Sequence, residues 1–397
     1  MGKVIITEYN NRLLLLLMNE QSHPELIRGF SKKPHEDILG NIYIGKITEI
    51  VPALEGAFAA VGPDEKVFFS LRENGLPLLV NRVYDGKLRV GDELVLQVVR
   101  QALKSKPPGA STKLTLTGQY CVCHLEKNDN AQITYSKRLS REKVSELKEV
   151  IDDQKRRISS EHSACCFTIR TNAGMLTDYA PLLLEMQRFN KIFDEIKQVY
   201  THRTCYSCLY RSAPELVKAI MEIPLTAYDE IVTDVSYVYQ LLSNEGWNLR
   251  LYQDELLPLA KLYSTQAHID QALGKKVWLP SGGYLVIEPT EAMTVIDVNS
   301  GKGSGGRQGK KDGLYLRINL EAAREIARQL RLRNLSGMIM VDFINMDDKK
   351  DNKRLLKEFD KWLKEDKINT RLVDMTALGI VEITRKKEYK PLWEQLK

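Results

Sequence analysis

Ala292-Met-Thr-Val-Ile-Asp297-Val-Asn299 reads as a β-strand, and the reading of the whole chain turns on it. A period of two is that of a β-strand with one buried face. Asp297 and Asn299 therefore share one side, and Ile296 and Val298 the other. A carboxylate and an amide two residues apart supply adjacent oxygen ligands or donors at the mouth of a strand. Upstream, Leu279-Pro-Ser-Gly-Gly283 reads as a turn and Tyr284–Glu288 as a further strand. Downstream, Gly301-Lys-Gly-Ser-Gly-Gly-Arg-Gln-Gly-Lys-Lys311 carries five glycines and four basic residues. Its backbone can approach a phosphate closely, and side chains such as Lys302 and Arg307 can neutralise one.

That loop also satisfies GxGxxG spacing at Gly301, Gly303 and Gly306. A dinucleotide site needs an apolar helix after its third glycine, and Arg307-Gln-Gly-Lys-Lys-Asp-Gly313 supplies none. The nucleoside-triphosphate loop fails as well, because Gly309-Lys310 lacks both the upstream glycine and a following Ser or Thr. The segment is therefore read as a basic loop. Asn319 then reads as a helix cap, with Glu321 in the first turn. Ala323, Ile326, Ala327 and Leu330 form the core face of that helix, and Arg324, Arg328, Arg331 and Arg333 lie largely off it. Gly337 ends it. Met338–Ile344 reads as a buried strand that carries a second carboxylate, Asp342. Taken singly, an Asp at a strand end is a cap or a turn residue. Two neighbouring strands ending in Asp297 and Asp342 can share one divalent ion, and hard oxygen ligands with room for waters and a phosphate suit magnesium.

The surrounding composition fits a phosphate-rich partner. The chain has 397 residues, 58 basic and 52 acidic, for a net charge of +6. From Ser281 to Lys397 there are 23 basic and 18 acidic residues, so +5 of the excess lies in the C-terminal third. Hydrophobic residues make 43% and charged residues 28%, which excludes a disordered chain, a collagen or a coiled coil. The apolar run Leu13–Met18 is too short for a membrane span or a signal peptide. Without a secretory signal, the six cysteines read as structural thiols in a reducing, cytoplasmic compartment. Cys205-Tyr-Ser-Cys208 with His202 falls short of four zinc ligands, so no structural zinc is expected.

Earlier in the chain, Lys3–Met18 reads as two strands around Tyr9-Asn10-Asn11, and residues 20–38 as a connection. Five short strands follow, at 41–51, 56–61, 66–70, 90–99 and 113–117. Turn signals separate them, which predicts a small barrel of the OB type. Such barrels bind single strands on aromatic platforms with a basic rim. Phe58 and Phe68 are candidate platforms, although each taken alone reads as a core residue. Lys46, Lys106 and Lys113 are rim candidates. Ser140–Asp152 and Leu182–Val199 read as amphipathic helices. Cys165–Arg170 reads as a buried strand ending in a charge. Arg170 beside Thr171 and Gly174 can fork onto a phosphate, but alone it reads as a surface arginine in a turn.

Thr294-Val-Ile-Asp-Val-Asn-Ser300, Asn319-Leu-Glu-Ala-Ala323, Glu325-Ile-Ala-Arg-Gln-Leu-Arg-Leu-Arg333 and Ile339 through Asp342-Phe-Ile-Asn-Met346 together resemble the ribonuclease E/G family. Asn41-Ile-Tyr-Ile-Gly-Lys-Ile47 with Phe58 looks like that family's inserted RNA-binding barrel, and Ile169-Arg-Thr171 with Gly174 looks like its 5′-sensor motif. The resemblance implies an α+β multidomain chain. An RNase H-like domain (1–36 and 213–278) is split by an OB-fold, S1-type barrel (37–119) and a 5′-sensor domain (120–212). A DNase I-like catalytic domain (279–397) follows. It implies a magnesium-dependent endoribonuclease of single-stranded RNA, with Mn2+ as a substitute ion, active in rRNA and mRNA processing and decay. The products would carry 5′-phosphate and 3′-hydroxyl ends, and 5′-monophosphorylated substrates would be favoured.

The implied roles are these. Asp297 and Asp342 are the metal ligands, and Asn299 places water or phosphate. Arg170 and Thr171 hold a 5′-monophosphate. Phe58 and Phe68 contact RNA. The residues themselves add Lys106, Lys113, Lys302 and Arg307 as basic RNA contacts. Larger family members continue into a zinc link and a dimerisation domain. Neither is present before Lys397, so a zinc-linked oligomer is not expected and a monomer or another dimer remains open. Ala377 stands where better-known members carry Arg. The rival reading is a non-catalytic RNA-binding or ribosome-assembly protein on the same fold. A DNA-directed nuclease is a third, since a catalytic fold does not itself select the sugar.

Overall fold

The structure, a computed structural model, describes residues 2–32, 38–72, 77–102, 106–125, 132–153, 165–243, 246–301 and 308–397, with the backbone alone for 308–312. The chain forms two compact units. One joins Met1–Lys32 to Ala227–Lys397, and the other is Lys33–Thr226. Residues 213–226 thus belong with the second. Among the described residues no helix is long and apolar enough to cross a membrane.

The chain starts with β1 (Gly2–Tyr9), β2 (Arg12–Met18) and β3 (Pro24–Ser31). Asn10 and Asn11 both have positive φ, 43° and 61°, which suits the tight turn between two right-twisted strands. Residues 20–38 do not form a mere connection, because β3 pairs antiparallel with β2. Its buried positions, Pro24, Ile27 and Phe30, recur every third residue, so the period-two signal is missing.

In the second unit, β4 (Ile42–Val51), β5 (Gly56–Ala60), β6 (Lys66–Ser70), β7 (Glu93–Arg100) and β8 (Gly109–Ser111) close into a barrel through the β4–β7 pairing. The fifth barrel strand is therefore β8. Residues 113–117, expected to supply it, instead contribute β9 (Thr115–Thr117) to the next sheet. Ile47, Ala57, Ala59, Val67, Phe69 and Leu96 fill the barrel. Asp92 is nearly fully buried and accepts two hydrogen bonds of 2.7 Å from the Arg82 guanidinium.

That next sheet combines β9 with β10 (Cys121–Leu125), β11 (Ile133–Tyr135) and, after α1 (Arg141–Asp153), β12 (Cys165–Ile169). Helix α2 (Ala180–Val199) packs Leu182, Met186 and Phe193 into the same core as Cys121, Cys123 and Cys165. Burial pushes the Cys121 and Cys123 thiols up, away from the reactive thiolate. β13 (Cys208–Tyr210) joins the barrel at β4, and α3 (Glu215–Glu222) follows.

The chain then returns to the first unit. β14 (Tyr228–Thr233) pairs parallel with β1, and α4 (Ser236–Leu242), β15 (Leu249–Leu251), α5 (Leu259–Leu262) and α6 (Thr265–Leu273) complete this part. The sheet order is β15-β14-β1-β2-β3.

The last sheet has the order β16-β17-β18-β19-β21-β20. It runs through β16 (Lys276–Trp278), β17 (Tyr284–Pro289), β18 (Met293–Asn299), α7 (Gln308–Leu332), β19 (Gly337–Asp342), α8 (Lys349–Leu363), β20 (Thr370–Met375) and β21 (Ile380–Arg385), and α9 (Leu392–Gln395) ends the chain. Leu285, Ile296, Val298, Ile339, Val341 and Ile383 pack against Ala323, Ile326 and Leu330 of α7 and Leu355 and Phe359 of α8. Helix α7 begins at Gln308, inside the stretch read as a loop.

Two of the α7-segment arginines are committed to the fold. Arg328 pairs with Glu325 and donates to the Pro24 carbonyl, while Arg333, 5% exposed, donates to the Gly274 carbonyl. Arg385 and Asp366 form a buried ion pair at 2.7 Å beside the same sheet.

Candidate active site

β18 and β19 run parallel, connected by α7, and their register makes Asp297 the direct partner of Asp342. Neighbouring strands lie about 4.8 Å apart, so the two carboxylates stand side by side. Both are exposed, because alternation sends Ile296, Val298 and Val341 into the core and the aspartates to the bare face. Asn299 Nδ2 donates to Asp297 Oδ2 at 2.7 Å, which fixes that carboxylate. Among the described residues, neither aspartate pairs with a cation, and no group of three His, Cys, Asp or Glu is placed to hold a metal ion. Two carboxylates and an amide suit a magnesium ion that keeps several waters, rather than a caged ion.

Asn319 sits inside α7 and is not its cap. It is fully buried, donates to the Ile344 carbonyl at 2.8 Å and accepts from the Ile344 N–H at 3.1 Å. That two-way clamp holds the chain just after Asp342. Cap and clamp draw on the same short amide side chain, so the sequence alone did not separate them. On the other flank, Ile380 is the register partner of Asp342. The turn before it is closed by Thr376, which bonds the N–H groups of Gly379 and Ile380, and Ala377 is exposed there.

In the second unit, described by itself, Phe58 and Phe68 are cross-strand partners on β5 and β6. Their rings meet edge-to-face at 5.3 Å. Both are only half-buried, on the outside of the barrel, while Phe69 next door fills its interior. The core reading of either ring is thereby corrected. Gly56 makes this possible: a Cβ there would lie 2.2 Å from the Phe68 ring. Arg100, which sequence reasoning missed, lies over Gly109, the register partner of Phe68. Lys106 and Lys113 are exposed, and Lys46 approaches Glu93 at 3.9 Å. Lys302 and Arg307 lie outside the described residues.

Arg170 directly follows β12, and its guanidinium donates to the Gly118 carbonyl. The Thr171 hydroxyl meets that of Ser136 at 3.0 Å. The turn that Arg170 touches is itself anchored from α2. The Glu185 carboxylate accepts the backbone N–H groups of Gln119, Tyr120 and Cys121 at 2.7–2.9 Å. Burial raises the Glu185 carboxyl above its ordinary value, and the three N–H groups oppose that rise.

A sequence profile described as the Ribonuclease E/G family matches residues 115–388, more than half of the chain. The chain belongs to the ribonuclease E/G family. A Ribonuclease E of Synechocystis is 30% identical over 371 residues, covering 90% of this chain and 53% of the relative. A Ribonuclease E of Nostoc is equally similar, with 52% of its length covered. Ribonuclease G of Escherichia coli K12 is 28% identical over 375 residues, which cover 74% of it. The chain thus spans about half the length of its cyanobacterial ribonuclease E/G relatives. The match takes in Asp297, Asn299, Asp342, Arg170 and Thr171, and it starts downstream of Phe58 and Phe68.

Proposed function

We propose that this chain is an endoribonuclease that hydrolyses single-stranded RNA with magnesium, leaving 5′-phosphate and 3′-hydroxyl ends. The observation that carries this reading is the register pairing of Asp297 with Asp342, with Asn299 bonded to the first, in a ribonuclease E/G chain. RNA binding alone gains nothing from two carboxylates turned toward a phosphate. Asp297 and Asp342 would hold the ion, for which manganese is a substitute. When bound, it polarises the scissile phosphate and lowers the pKa of a coordinated water. Asn299 keeps Asp297 oriented and offers its amide oxygen to the attacking water. The clamp of Asn319 on Ile344 keeps Asp342 level with Asp297.

The other unit supplies binding in this reading. Phe58 and Phe68 form an S1-type stacking platform, with Arg100, Lys106 and Lys113 as its basic rim. Arg170 and Thr171 receive a 5′-monophosphate, which tethers one end of the strand and raises the local concentration of cleavable bonds. The remaining sheets take the RNase H-like and DNase I-like places of the family plan, and the setting is cytoplasmic RNA processing and decay.

The test is incubation of the protein with a 5′-labelled, AU-rich single strand, with magnesium and with chelator. Cleavage in magnesium alone, absent from Asp297→Asn and Asp342→Asn variants that still bind the strand, is the expected result. Full activity in both variants overturns the assignment. A 5′-monophosphate should speed cleavage over a 5′-hydroxyl, and Arg170→Ala should erase the difference.

A further inference from the structure

The bare face of the last sheet carries a second constellation beside the aspartates. On the edge strand β16, Val277 turns into the core, so Lys276 and Trp278 turn outward. Trp278 is the register partner of Tyr284, and Tyr284 is the register partner of Asn299. One row along, Lys276, Val286, Asp297 and Asp342 follow one another across four strands. The Trp278 and Tyr284 rings meet edge-to-face at 5.3 Å and 61°. The Lys276 ammonium stands 3.9 Å from the indole centroid and 3.7 Å from the phenol centroid. Trp278 nevertheless remains 64% exposed. Two strand spacings, about 10 Å, separate it from Asn299.

We propose that Trp278, Tyr284 and Lys276 form a nucleobase-stacking subsite that seats one nucleotide beside the scissile phosphate. An indole face stacks on any base, and an ammonium held against the rings offers charge to the phosphate of the seated nucleotide. A lysine on an edge strand discourages stray pairing, and a cross-strand aromatic pair stabilises a sheet edge. Neither role calls for a tryptophan left mostly exposed, in the same row as the amide that contacts Asp297. The subsite adds a contact at a fixed offset from the cleaved bond, so it sets where cleavage falls along the strand.

This inference rests on the nuclease reading, and its test separates the two. Abasic residues are placed one at a time along a cleavable single strand, and kcat/KM is measured for each. In the wild type, one offset from the cleaved bond should lower kcat/KM by about tenfold. Trp278→Ala should be slower on the intact strand and indifferent to that abasic position, while Trp278→Phe should keep most of the preference. An unchanged abasic profile in Trp278→Ala overturns the subsite and leaves the nuclease standing. If the wild type cleaves nothing, the nuclease reading falls, and tryptophan fluorescence decides the subsite alone. Oligonucleotide should quench the Asp297→Asn protein more than the Asp297→Asn/Trp278→Phe protein; equal quenching overturns it.

Discussion

The two faces of the last sheet are made by the same strands and have opposite characters. Along β18, Ile296 and Val298 are sealed under α7 and α8, while Asp297 is exposed and Asn299 half-buried on the opposite face. The covered side also holds an acid, Asp366, but it is buried and bound to Arg385. An aspartate that serves the fold is thus hidden and paired, while the two read as catalytic are exposed, adjacent and unpaired with any described cation. Alternation lets one strand carry stability and chemistry without mixing them, so each should be removable without the other.

The largest effect expected from testing that separation is on Asp342→Asn. Cleavage should fall about 10³-fold, with the melting midpoint unmoved. A large drop in that midpoint would mean that the bare face also supports the fold. On the covered side, Arg385→Ala removes the cation that pairs with buried Asp366 and should cost about 3 kcal/mol in chemical denaturation. The kcat of the variant's folded fraction should remain near wild type.

A smaller effect tests whether the barrel surface behaves like the bare face. Phe68→Ala should weaken single-strand binding about tenfold in a titration, with little loss of stability, since the ring is outside the barrel. The smallest is a pH effect on the barrel's own hidden acid. Burial opposes ionisation of Asp92, but hydrogen bonds from Arg82 and from the Arg89 N–H outweigh it and hold the carboxyl below its ordinary value. Its stabilising contribution is full above the unfolded carboxyl value of about 4 and fades as pH falls through the lower folded value. Asp92→Asn should therefore lower the denaturation midpoint at pH 6 and narrow its gap to the wild type in stronger acid.

The bare face was readable because Ile296–Asn299 alternates between apolar and polar side chains. The strand pairing itself, Asp297 against Asp342, is a tertiary fact that no local pattern encodes. The misreadings have physical sources. β3 hides its strand character behind a three-residue burial rhythm. Residues 113–117 have strand composition but pair with β10 rather than closing the barrel. Phe58 and Phe68 sit in strands whose neighbours are apolar, and only the pleat tells the outward ring of Phe68 from the inward ring of Phe69. Trp278 lay in a three-residue strand too short to show any period.

The pairing of β1 with β14 has a consequence for how the molecule is made. Ile5 meets Val232 across adjacent parallel strands. A ribosome therefore delivers the leucine-rich hairpin of β1 and β2 long before the parallel partner of β1 exists, and it synthesises the whole intervening unit first. During that interval a row of unpaired backbone groups on β1 waits beside Leu13–Leu17, as a template for any extended chain nearby. Domain-wise folding of the insertion shortens the wait, and swapping with a second nascent chain is the characteristic error of such an arrangement.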